Sequence, residues 1–127
     1  MREMNFFSDF YSIKIDLKAS GVLNGEILLE YKLKRKRFLI SGLHAISSLN
    51  KFSIVFFTEW DDLDLNLITT FYGQYSNGRL GLNWIITNEK AEMVSTGNSI
   101  LWTSDLNKNK VKDMTGLNQD AVPFPIK

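Results

Sequence analysis

Apolar and polar residues alternate along most of this chain, and no stretch longer than two helical turns repeats at the helical period. Ile13, Ile15 and Leu17 alternate with Lys14, Asp16 and Lys18. Ile27, Leu29, Tyr31 and Leu33 share one face, with Glu26, Glu30, Lys32 and Lys34 on the other. Phe52, Ile54, Phe56, Thr58 and Trp60 are in phase, as are Leu67, Thr69 and Phe71, then Leu80, Leu82, Trp84 and Ile86. Successive strand side chains point to opposite faces, so each run predicts a strand with one buried face. The predicted strands are Met4–Ser8, Ile13–Lys18, Glu26–Lys34, Phe38–Ala45, Phe52–Trp60, Leu67–Tyr75 and Leu80–Thr87. One more, in one or two pieces, is placed beyond Ile100.

Turns are expected at Asp9–Ser12, Ala19–Gly25, Ser47–Asn50 and Asp61–Asp64, and a polar loop at Asn88–Ser99. Asn77-Gly78 is the strongest short hairpin signal, because a tight hairpin needs positive φ at both central residues. Eight short strands joined by hairpin-length turns make an antiparallel sandwich or an up-and-down barrel. Sequential hairpins suffice for the barrel, so the expected fold is all-β: an eight-stranded antiparallel up-and-down β-barrel.

Composition narrows the function classes. With 127 residues, the chain is long enough for one domain with a real core, spanning 1–127, and too short for two. A formal net charge of +1 offers no overall field for nucleic acid. The absence of cysteine removes disulfides and thiolate chemistry. No apolar run approaches the roughly 20 residues of a membrane-spanning helix. No signal-peptide pattern opens the chain, and the compartment is left open.

Candidate chemistry is sparse. Lys32–Arg37 holds five basic residues in six and reads as a solvated hairpin loop. Asp61-Asp-Leu-Asp64 lacks the glycine and final glutamate of a calcium loop and reads as a turn. His44 is the only histidine, so no His-based metal cluster or triad can be built within one chain. No nucleophile stands at a recognisable spacing from a base. The chain is therefore expected not to be an enzyme and to hold no metal or cofactor. The remaining candidate is the concave face carrying Thr69, Phe71 and Trp84, which suits a small, partly apolar ligand.

Thr69-Thr-Phe-Tyr-Gly-Gln-Tyr75 followed by Trp84-Ile-Ile-Thr87 resembles the avidin/streptavidin family, whose late strands read Thr-x-aromatic-x-Gly-Gln, then Trp-Leu-Leu. The resemblance extends over about residues 5–118. Gly25-Glu-Ile-Leu-Leu-Glu-Tyr31 matches the Gly, aliphatic and Tyr of the family's third strand, and Ile40-Ser-Gly42 its Leu-Thr-Gly. Phe6, Ser8 and Ser12 have the spacing of the family's opening Trp, Asn and Ser. The resemblance implies an avidin-like barrel that binds biotin as a homo-dimer or homo-tetramer, in a family that is secreted. It also implies roles. Ser8, Ser12 and Tyr31 would donate to the ureido oxygen, and Thr69 would contact the sulfur. Trp60, Phe71 and Trp84 would form walls, and Trp102 would come from a neighbouring subunit. Asn118, in Gly116-Leu-Asn118, would accept a ureido N–H.

The departures bear on the pocket. Leu33 and Leu67 stand where the family has serines, and Lys34–Arg37 is all that remains of its lid loop. An insertion around Asn107–Lys112 separates Trp102 from Asn118. Ser12 is out of phase with Ile13, Ile15 and Leu17 and reaches the interior only through a bulge. Two further readings stand beside biotin binding. One is a barrel of this family with a closed pocket, serving as a structural or interaction module, which Leu33 and Leu67 favour. The other is a lipocalin-like carrier, against which the chain lacks an opening Gly-x-Trp.

Overall fold

A computed structural model of the chain describes residues 2–31, 34–60, 67–103 and 122–124, with the side chains of residues 30, 31 and 34 outside the description. The alternating runs form eight strands: β1 (Arg2–Phe7), β2 (Tyr11–Leu17), β3 (Val22–Tyr31), β4 (Lys34–Ser48), β5 (Lys51–Glu59), β6 (Ile68–Ser76), β7 (Arg79–Thr87) and β8 (Met93–Trp102). Each pairs antiparallel with the next, and β8 closes on β1 through Phe7 and Trp102, giving a closed up-and-down barrel. Closure removes the free edges that an open sheet would expose.

The alternation sorts residues as the pleat demands. Tyr11, Ile13, Ile15 and Leu17 are buried on β2, and Phe52, Ile54, Phe56 and Thr58 on β5. Thr69, Phe71 and Tyr75 are buried on β6, and Leu80, Leu82, Trp84 and Ile86 on β7. Phe71 stacks on Phe56 directly across the β5–β6 pair, with ring centroids 4.7 Å apart. Phe38 meets Trp60 edge-on at 5.0 Å. The interior is thus filled by side chains, as expected of a barrel this narrow. The ion pairs Lys14–Glu3, Lys18–Asp16 and Arg37–Glu26 lie on the outer face. Exposed pairs of this kind contribute little to stability.

The hairpin signal between β6 and β7 is realised as expected, with Asn77 and Gly78 both at positive φ, 50° and 88°. The fourth strand is longer than the sequence reading: β4 runs Lys34–Ser48, and Lys34–Arg37 are strand residues paired with β3, not hairpin loop. Three further differences are seen. Val22–Gly25 is the start of β3, paired with Ser41–Leu43 and Ile40 on β4, and the turn is confined to residues 18–21. Leu23 and Ile27 are both fully buried, so the alternation begins earlier than the small residues suggested. The loop is confined to Asn88–Glu92: β8 starts at Met93, well before Ile100, and ends at Trp102. Its middle, Ser95–Ser99, is small or polar on both faces, so no alternation announces it. Only Leu101 is fully buried there, and the ladder to β7 holds the rest. Gly97 allows that ladder to close, because a Cβ there would stand 2.5 Å from the Trp84 ring. The third difference concerns Ser12. β2 pairs with β1 and β3 without a register shift, so no bulge turns Ser12 inward. Ser12 lies on the outer face beside Asn5, Lys14, Glu26 and Arg37, and Tyr11 takes the inward position.

Candidate ligand site at the barrel mouth

The two ends of the barrel follow from the hairpin order. One end carries the β1–β2, β3–β4, β5–β6 and β7–β8 connections, and this end, the mouth, holds the convergent polar chemistry. Trp60 follows β5 in its inward phase, and Thr69 is the second residue of β6. Both are fully buried. The Trp60 indole Nε1–H donates to Thr69 Oγ1 at 2.8 Å. Thr69 Oγ1 in turn donates to the carbonyl oxygen of Pro123 at 2.6 Å. A hydroxyl has one proton to give, and here it goes to that carbonyl while the oxygen accepts from the indole.

The partner of Thr69 thus comes from the chain's own C-terminal segment. Pro123 and Phe124 are buried in the mouth, and the Phe124 ring meets Trp60 edge-on at 6.3 Å. Phe10, Leu67 and Val122 pack, partly buried, against the same core. A backbone carbonyl followed by an apolar ring therefore sits between a hydroxyl donor and an aromatic wall. Unpaired, a buried hydroxyl or carbonyl would cost about 1–3 kcal/mol, so these groups are matched.

Other residues singled out in the sequence are distributed differently. Ser8 closes the β1–β2 turn: its hydroxyl donates to the Tyr11 carbonyl at 2.7 Å and accepts from the Tyr11 amide at 3.4 Å. Phe71 and Trp84 are directly paired across β6 and β7 and fully buried. Trp84 Nε1–H donates to Ser99 Oγ at 3.2 Å. Trp102, in register with Arg79 near the far end of β7, does not join Trp60 and Thr69. Its indole nitrogen is buried and finds no partner among the described residues. Tyr31 ends β3, and its side chain lies outside the described residues. So do Leu33, Asp61–Asp64, the insertion at Asn107–Lys112, Gly116 and Asn118.

The sequence reading missed Tyr11, Phe38, Pro123 and Phe124. Tyr11 was hidden because the turn was drawn through Ser12. Its buried hydroxyl lies beside Ser99 with no acceptor in hydrogen-bonding geometry among the described residues. Burial pushes its pKa well above the ordinary phenol range, and the Ser99 hydroxyl offsets this only in part. The tail did carry a visible signal: Pro123 and Pro125, the only prolines, flank Phe124.

Among the described residues, no cluster of three His, Cys, Asp or Glu side chains could hold a metal ion. A groove of about 710 Å³ lies on the outer surface of β5–β8, lined by Tyr72, Gln74, Gly81, Asn83 and Asn98 among others. It is wide and open. The mouth has the converging, water-excluded groups that recognition requires. In comparison with known proteins, the chain matches no family model and no curated sequence.

Proposed function

We propose that the barrel is a non-enzymatic binding protein for biotin or a biotin-like small molecule, bound at the mouth end of an avidin-like barrel. One observation carries the reading. Trp60 and Thr69 form a buried donor chain that ends on a carbonyl, and an apolar ring follows that carbonyl against the Trp60 wall. Biotin offers the same pair of features, a polarised carbonyl on a compact apolar body. Tyr31, in the alternation phase of Ile27 and Leu29, is assigned as a donor to the ureido oxygen. Ser8 joins it only if its turn hydrogen bonds rearrange.

The ring end of the ligand carries the affinity in this reading. Leu67 supplies apolar rim where the family has a hydroxyl, so the carboxylate end is poorly held. Each hydrogen bond to a charged group that is not made forgoes about 1.5–3 kcal/mol. Biotin amide is therefore expected to bind within about 1 kcal/mol of free biotin, and Tyr31→Phe to weaken both equally. Calorimetric titration of both ligands on both proteins tests this. A hundredfold preference for free biotin would reveal a carboxylate site and sink the ring-end reading.

A second reading, a barrel of the same shape with a closed pocket acting as an interaction module, is favoured by the saturation of Thr69. Its hydroxyl already has both a donor and an acceptor. Absence of heat and of any tryptophan fluorescence change on titration would select it.

We also propose a homo-dimer or homo-tetramer. Val22, Leu43, Val55 and Tyr72 are in direct cross-strand register on the outer faces of β3–β6 and are all exposed, with Phe57 and Leu39 beside them. Contiguous exposed apolar surface marks interaction sites. Light scattering that returns a monomer at micromolar concentration would refute the assembly.

A further inference from the structure

We infer that the barrel mouth is a recognition site for a proline–aromatic peptide, filled in cis by Val122, Pro123 and Phe124, and that any other ligand of the mouth must displace this segment. The second clause rests on the proposed small-molecule site; the first does not. Three observations converge. The segment makes a specific bond, Thr69 Oγ1 to the Pro123 carbonyl, across 54 positions of sequence. It places an aromatic anchor against Trp60 with only 3% of Phe124 left exposed. It is also built for burial. Proline has no N–H, so Pro123 enters the mouth without a donor to satisfy. Prolines on both sides of Phe124 restrict the free chain, which lowers the entropy lost on docking.

The mode is that of a pre-stiffened peptide laid against an aromatic wall, with one side-chain anchor and one carbonyl bond. Being tethered, the segment acts at high effective concentration. A competing ligand then sees only the fraction of molecules whose mouth is open, and its apparent affinity falls by that fraction.

The test uses full-length wild type, full-length Phe124→Ala, and a synthetic peptide of residues 121–127. NMR of the wild type is expected to show cross-relaxation between the Trp60 and Phe124 rings, a measurement that needs no variant. Phe124→Ala is expected to shift the Trp60 indole N–H resonance and to bind the peptide at least about tenfold more tightly than wild type does. Added peptide should return the resonance toward its wild-type position. Absence of the ring–ring cross-peak, or equal peptide binding by the two proteins, overturns the inference. Biotin separates the two proposals. If Phe124→Ala takes the peptide but no biotin, the small-molecule reading fails and the peptide site stands. If biotin binds both proteins with one affinity while the cross-peak persists in wild type, the displacement clause fails and biotin binding stands.

Discussion

The two ends of the barrel are closed by different means. At the end opposite the mouth, Phe52 and Tyr75 are direct cross-strand partners of β5 and β6 and stack with centroids 4.7 Å apart. Phe6 meets Tyr75 edge-on at 5.7 Å. The Arg2 guanidinium lies 5.8 Å from both the Phe52 and the Tyr75 rings, and it donates to the Leu49 carbonyl. Every group there belongs to a strand or to a hairpin turn that the ladder already orders. At the mouth, the ladder supplies Trp60 and Thr69, but the last acceptor and the last ring arrive from residues 122–124. A closure made by strand residues comes with the fold. A closure made by a distant segment is an additional equilibrium, with its own entropy cost and its own competitors.

The largest change expected is for Trp60→Ala, which removes the wall shared by Phe38, Thr69 and Phe124. Truncating a buried Trp typically costs about 3–5 kcal/mol. Chemical denaturation should show that loss, and the cross-relaxation to Phe124 should disappear with it. Thr69→Val keeps the shape but leaves the Trp60 N–H and the Pro123 carbonyl without each other's bridge, at an expected cost of about 1–3 kcal/mol. Thr69→Ser should recover most of it. Should Val prove neutral, the hydroxyl would not be what holds the segment.

Arg2→Ala probes the other end. A partly exposed cation–π contact is worth about 0.5–1 kcal/mol, so a small loss is expected, and no change in peptide or biotin binding at the mouth. A change in mouth affinity would mean that the ends are coupled. Tyr11→Phe should be the mildest at neutral pH, within about 0.5 kcal/mol, because the hydroxyl it deletes has no acceptor among the described residues. Its effect belongs to alkaline pH. Tyr11 keeps its proton more tightly folded than unfolded, so its contribution is intact below the unfolded value of about 10 and is lost as pH rises beyond it. Equilibrium unfolding at several pH values above 10 should give a shallower decline for Tyr11→Phe, by up to about 1.4 kcal/mol per pH unit. Equal slopes would show that Tyr11 is not the titrating group.

Much of this was legible beforehand, and what was missed has physical reasons. Period-two alternation on β2, β3, β5, β6 and β7 is a local property, dictated by a pleat with one dry face. Asn77-Gly78 is likewise local, since few other pairs accept two consecutive positive φ values. Hence the strand type, the hairpin order and the inward phase of Trp60, Thr69, Phe71 and Trp84 could be read directly. β8 could not, because a strand held by its neighbour's hydrogen bonds needs no alternation of its own. The phase of Ile13, Ile15 and Leu17 already pointed Ser12 outward, and the inward role that the resemblance implied needed a bulge that β2 does not have. Tyr11 was missed because the strand starts earlier, inside the expected turn.

What the chain determined by itself was therefore the strands, their faces and the aromatic filling of a narrow barrel. Tertiary structure alone decided what Thr69 binds. Its acceptor lies 54 positions away, at a distance where neither periodicity nor spacing carries information, and only folding brings the Pro123 carbonyl to the buried hydroxyl that accepts from Trp60.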